Sequence, residues 1–176
     1  MFQINCSDNF FKSHLEKVLV QKKSYFTFDN KKKYFDIINI DNNNDQIIVF
    51  TNNNKIKCNL PITFDKFFKL LINISSKIKI KLKCLEYFPI NQNIVKDKKI
   101  LKLNDIHFLI FNQLLLNIDD GVDKHEMYKI LWPSDKNILV NKIDTHLSNL
   151  KNLLLRKFDE NLYFTTHQGK IKLIVD

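Results

Sequence analysis

The chain is predicted to be an α+β protein built from two units. In its first part, two stretches with helical apolar spacing bracket four short apolar runs separated by Asn- and Lys-rich linkers. Beyond Lys77 the pattern changes to strict alternation, which sets the units at residues 1–77 and 78–176. Residues 103–173 then read as three helices and a short two-stranded ending. A length of 176 residues accommodates two small domains.

The elements follow in order. Residues 2–6 form a strand. Ser7 or Asp8 caps a helix in which Phe10, Phe11, His14, Leu15, Val18 and Leu19 recur at helical spacing. Residues 24–28, 34–40, 46–51 and 55–60 are strands, and the linkers between them are of hairpin length. Thr63 or Asp65 opens a helix with Phe64, Phe67, Phe68, Leu71 and Ile72 along one face, ending near Ser75-Ser76. If part of that Phe stripe is exposed, it marks a dimer interface.

In the second unit Ile78, Ile80, Leu82 and Cys84 alternate with lysines, as on a half-exposed strand. Residues 85–90 and 100–103 are short strands around a polar turn at 91–99. Asn104 caps a helix carrying Ile106, Phe108, Leu109, Phe111 and Leu114 to Leu116. Asp123 caps the next, with Met127, Ile130 and Leu131 inward and Pro133 as its stop. After a loop at 134–139, a third helix spans about 140–155. Its buried stripe is Ile143, Leu147, Leu150 and Leu154. Residues 162–165 and 170–175 form a terminal hairpin around Gln168-Gly169.

Composition excludes several classes of function. Only Gly121 and Gly169 occur, so no glycine-rich loop cradles a phosphate and no G-x-S-x-G elbow exists. The five histidines form no H-E-x-x-H and no zinc spacing with cysteine, and no Ser/His/Asp or Cys/His arrangement is identifiable. Outside the third helix each histidine reads as a surface residue or a satisfied core residue. Asp119-Asp120 before Gly121 reads as turn chemistry. No enzymatic activity, metal or cofactor is expected.

Cys6, Cys58 and Cys84 are too few and too scattered for a disulfide framework, and each reads as a buried apolar thiol in a reducing compartment. Neither a signal peptide nor a bilayer-length apolar run is seen, so a cytoplasmic protein is expected. The net charge of +9 favours a polyanionic partner. The excess is +5 in residues 1–77 and +4 in 78–176, so charge alone does not locate a binding surface. A Lys-, Asn- and Ile-rich chain with Arg156 as its only arginine is also what a biased genome would write.

Four motifs of the second unit carry a family likeness. They are Leu103-Asn104-Asp105-Ile106-His107, the run from Val122 to Trp132, Ile143-Asp144-Thr145-His146-Leu147, and Phe164-Thr165. In this order and spacing, residues 80–175 resemble the winged helix-turn-helix DNA-binding domain of OmpR/PhoB-type response regulators. His107 stands where the family usually has Glu. The resemblance implies a transcription regulator that binds double-stranded DNA with its third helix in the major groove.

Opposite the buried stripe that helix carries Lys142, Thr145, Ser148, Asn149 and Asn152. Asn149 suits bidentate pairing with adenine and Thr145 a thymine methyl or a phosphate. Lys142 and Lys151 would neutralise phosphates, with His146 donating to another. Thr166, His167 and Lys170 of the wing would reach the minor groove or its backbone. The family usually has arginine where Ser148 and Asn149 stand, so an A·T-rich preference is expected. The loop at 134–139 sits where members of the family contact RNA polymerase. A homodimer is expected, since one winged helix reads only a short half-site.

In the family such a domain commonly follows a phosphoacceptor receiver. Phe35-Asp36-Ile37-Ile38-Asn39-Ile40-Asp41 resembles the strand that ends in the phosphoacceptor, with Thr51 and Leu60-Pro61 as further echoes. The chemistry is missing. Cys6-Ser7 replaces the acidic pair, leaving only Asp8 for a hard cation that needs several oxygens. Short linkers also argue against parallel crossovers. The first unit therefore reads as a degenerate receiver or an unrelated α+β module. Asp41 would be a vestigial phosphoacceptor, a loop carboxylate without a phospho-switch. A rival to DNA binding is a winged helix that now serves only as a protein-docking surface.

Overall fold

The computed structural model describes residues 1–21, 25–43, 45–160 and 163–174. Ser24, Asn44, Leu162 and Val175, each assigned above to a strand or turn, lie outside the described residues. Residues 1–79 form one compact unit and residues 80–176 another.

The first unit opens with β1 (Phe2–Cys6), α1 (Asn9–Gln21) and β2 (Phe26–Thr27). Asp8, not Ser7, caps α1, its carboxylate accepting the Phe11 N–H at 3.0 Å. Then come β3 (Asp36–Asn42), β4 (Gln46–Phe50), β5 (Lys55–Asn59) and α2 (Phe64–Ser76), which Thr63 caps. The sheet order is β2-β1-β3-β4-β5. Both β2 and β3 run parallel to β1, whereas β3-β4 and β4-β5 are antiparallel hairpins.

The linker after Phe28 is not a hairpin: residues 28–35 carry the chain across β1 to its other edge without a helix. Gln3 donates to Asn30, and the Phe35 N–H bonds to the Met1 carbonyl. Asp41 is not a loop residue but lies within β3, opposite Ile48.

The core of this unit joins Phe2, Ile4, Ile38, Ile40, Ile47 and Val49 of one sheet face to Leu15, Leu19, Phe67, Leu71 and Ile74 of the helices. Phe11 meets Phe67 edge to face at 5.5 Å. Phe10, one of the residues at helical apolar spacing in α1, points outward, and His14 is a surface residue, one of the two places expected for it. Phe10 is 76% exposed and stacks on His14 with centroids 4.3 Å apart. Phe11, Leu15 and Leu19 form the inner row at i, i+4, i+8, and Phe10 and His14 lie one residue back, about 100° round the helix from it. On α2, Phe67 is buried while Phe64 and Phe68 are half-buried and stacked.

The second unit begins with a four-stranded antiparallel sheet of β6 (Ile80–Leu82), β7 (Leu85–Phe88), β8 (Asn93–Lys96) and β9 (Lys99–Lys102). The polar turn expected at 91–99 in fact contains β8. Asp97 and Lys98, both at positive φ, form the tight turn into β9. Cys84 is exposed at the β6-β7 turn, and Cys6 and Cys58 are half-buried, so none is the fully buried thiol expected.

There follow α3 (Asp105–Leu116), β10 (Val122–Asp123), α4 (Lys124–Leu131), α5 (Asn141–Phe158), β11 (Tyr163–His167) and β12 (Lys170–Ile174). Asn104 caps α3 and Asp123 caps α4, as the residue pattern predicts. Ile143, Leu147, Leu150 and Leu154 are buried, and the stripe runs one turn further, to Phe158. Tyr128 is the buried aromatic of α4, and Ile130, expected inward, is 44% exposed. With the helix only eight residues long, its inner face is Met127 and Tyr128. The unit is a winged helix: three helices, then a β11-β12 hairpin to which β10 adds a third strand. Among the described residues no helix is long and apolar enough to cross a membrane.

Candidate nucleic-acid interface

Helix α5 presents a continuous polar outer face. Burying Ile143, Leu147, Leu150 and Leu154 turns Thr145, Ser148, Asn149 and Asn152 outward, and all four are exposed. The Thr145 hydroxyl donates to the Asn141 carbonyl at 3.2 Å. Arg156, one turn beyond Asn152 on the same face, is also exposed. The pattern reading missed it, although the chain's single arginine four residues after Asn152 was visible.

The wing runs beside this face. A cleft of about 240 Å³ between α5 and β11 is lined by Asp144, Leu147, Ser148, Lys151, Phe164 and Thr166. Ser148, Lys151 and Thr166 are therefore brought together. On the hairpin, a second cleft of about 170 Å³ is lined by Thr165, His167, Gln168, Lys170 and Lys172. Lys172 alternates with Lys170 and joins the group, although it was not among the expected residues. Its ammonium donates to the Asp119 carbonyl.

Local bonds hold the wing in place. Gln168 and Gly169 have φ of 50° and 77°, the left-handed pair that a two-residue hairpin turn requires. The Gly169 carbonyl accepts the Lys124 N–H at 3.0 Å, tying the turn to the start of α4. Asp123 accepts the N–H groups of His125 and Glu126. The Glu126 bond, then the His125 bond, hold its carboxyl below the usual carboxylate range.

Two of the expected contact residues are placed differently from the rest. His146 is half-buried on the inner flank of α5, with its ring 5.6 Å from Trp132 and 5.8 Å from His107. It does not share the outer face with Thr145 and Asn149. Lys142 is exposed, but its ammonium bonds to Asp135 at 3.2 Å and to the Tyr128 hydroxyl at 3.4 Å. It also lies 5.3 Å from the Trp132 ring. The Tyr128 contact, then Asp135, raise its pKa. Its charge is thus partly offset within the fold. Lys124 similarly pairs with Asp144 at 2.6 Å, neutralising the acid on the first turn of α5.

His107 was expected to be exposed or satisfied and is neither. It is 5% exposed, and neither ring nitrogen has a hydrogen-bond partner among the described residues. Burial, then the neighbouring His146, hold its pKa below the ordinary imidazole value. No group of three His, Cys, Asp or Glu side chains suited to a metal ion occurs among the described residues.

No protein-family model matches the chain, and neither does any curated protein. Among solved structures it is similar to the DNA-binding domain of CadC from E. coli, with a TM-score of 0.48 and 14% identity over 57% of this chain and 95% of that one. It is also similar to the DNA-binding domain of CpxR from E. coli (TM-score 0.46, 20% identity, 55% and 96% of the two chains). A third is the Klebsiella pneumoniae RstA DNA-binding domain in complex with the RstA box (TM-score 0.46, 18% identity, 56% and 98%).

Proposed function

We propose that the second unit binds double-stranded DNA sequence-specifically and that the protein is a transcription regulator rather than an enzyme. The observation that carries this is the outer face of α5, where Thr145, Ser148, Asn149, Asn152 and Arg156 stand in line beside a wing bearing Lys170 and Lys172. Small polar side chains on a helix fit the major groove, and flanking cations suit its phosphate walls. His146 acts by packing against Trp132 rather than by direct contact. Recovery of a binding motif from random duplexes at physiological salt, with excess competitor, tests the reading. Retention without a motif would mean charge-driven binding alone.

The first unit is read as a degenerate receiver that works without phosphorylation. Its strand order is that of the flavodoxin-like doubly wound sheet, with β4 reversed. The Asp8 carboxylate is already engaged by the Phe11 N–H and by Asn42 at 2.8 Å. Labelling of wild type by acetyl phosphate, abolished by Asp41→Asn, would overturn this. The protein is further read as a homodimer on paired half-sites.

One observation favours a second, protein-docking reading of the winged helix. Ile130, Ile138 and Leu139 are exposed around the loop at 134–139, an apolar surface suited to RNA polymerase or another protein. Failure to recover any motif would move this reading to first place.

A further inference from the structure

The sheet of the first unit has two unlike faces. The face carrying Ile38, Ile40, Ile47 and Val49 is covered by α1 and α2, which meet over it through Phe11 and Phe67. Strand register defines the other face. Asp41 on β3 lies beside Ile48 on β4, and Ile48 beside Lys57 on β5. In the next row Asn39 lies beside Phe50, and Phe50 beside Lys55. Each row thus passes from an acidic or polar residue, through an apolar one, to a lysine. Ile48 and Phe50 are half-buried, and both lysines are exposed.

This arrangement is complementary to itself. Take a two-fold axis in the plane of the face, running along β4. It lays β3 of one copy over β5 of the other, and β4 over β4. Because Asp41, Ile48 and Lys57 share a row, Asp41 then faces the partner's Lys57, Lys57 faces the partner's Asp41, and Ile48 faces its own counterpart. In the next row Phe50 faces its counterpart, while Asn39 and Lys55 face each other. Within one sheet, Asp41 and Lys57 stand two strands apart, about 9–10 Å, with Ile48 between them. Across a sheet-on-sheet interface about 10 Å thick, the opposite charges come within reach.

We infer that the β3–β5 part of this face binds a second copy of the chain, face to face, with an apolar Ile48–Phe50 centre flanked by two symmetry-related Asp41–Lys57 pairs. An isologous contact of this kind closes at two copies. The competing arrangement, edge to edge through β5, brings the lysines of both copies together and is opposed by like charge. The inference deepens the homodimer reading and does not depend on DNA binding.

Sedimentation equilibrium of the full chain without DNA tests it, using wild type, Asp41→Lys, Lys57→Asp and the double variant. Self-association is expected in wild type, at least about tenfold weaker in each single variant, and largely recovered in the double. Asp41→Asn and Lys57→Gln, which add no repulsion, serve if a reversal disturbs folding; each is expected to weaken association by a smaller factor. A monomer at every concentration overturns the proposal, as does a dimer indifferent to these charges. A dimer lost instead on Phe10→Ser also overturns it, in favour of the exposed Phe10–His14 surface of α1. If the reciprocal charge pattern holds while selection from random DNA fails, the DNA reading falls and this interface stands.

Discussion

The rings of His107 on α3 and His146 on α5 meet edge to face, their centroids 5.8 Å apart. The contact joins a buried imidazole, without a hydrogen-bond partner among the described residues, to the helix proposed to read DNA.

Acid should loosen the second unit through His107. Its folded pKa is depressed by burial and then by His146, so in the folded state it stays neutral while the unfolded chain takes up a proton near pH 6.5. The unfolded state then binds more protons. The stabilisation is whole above that pH and is lost as pH falls toward the folded value. Trp132, the only tryptophan, reports the unit's unfolding. Its urea midpoint should drop between pH 7.5 and 5.5, and His107→Phe should flatten the drop. Equal pH slopes in both proteins would contradict the assignment.

The two glycines should differ in their tolerance of alanine. At Gly121, with φ of 72°, an added Cβ would sit 2.7 Å from Lys172 Cγ and 2.9 Å from the Ile171 carbonyl. At Gly169, with φ of 77°, the nearest atom is Asp123 Oδ2 at 3.7 Å. Gly169→Ala should therefore cost only the left-handed backbone strain, about 1 kcal/mol, and Gly121→Ala clearly more. Trp132-monitored denaturation ranks them.

Cations on the proposed interface should not contribute equally. Replacing Lys170 with alanine should lower the salt slope of DNA binding by about 1. Lys142→Ala should lower it less, because that ammonium is already bonded to Asp135 and Tyr128. Slopes from binding isotherms at several salt concentrations decide the order.

What the sequence showed was what local physics controls. The caps Asp8, Asn104 and Asp123, and the stripe from Ile143 to Leu154, follow from spacing and side-chain chemistry within a few residues. Parallel pairing of β3 with β1, the addition of β10 to the wing and the burial of Tyr128 over Ile130 depend on partners far along the chain. The outer face of α5 was legible for the same reason as its stripe. The inward turn of His146 and the pairing of Lys142 were not, because Trp132 and Asp135 come from the preceding helix end and loop.

The most direct test of the proposed DNA reading is base-by-base competition on a selected site, wild type against Asn149→Ala. If α5 lies in the major groove, the variant should lose discrimination at one A·T pair, by about 1–3 kcal/mol, with its salt slope unchanged. Uniform weakening at every position, or no change at all, would contradict a sequence-reading role for this helix.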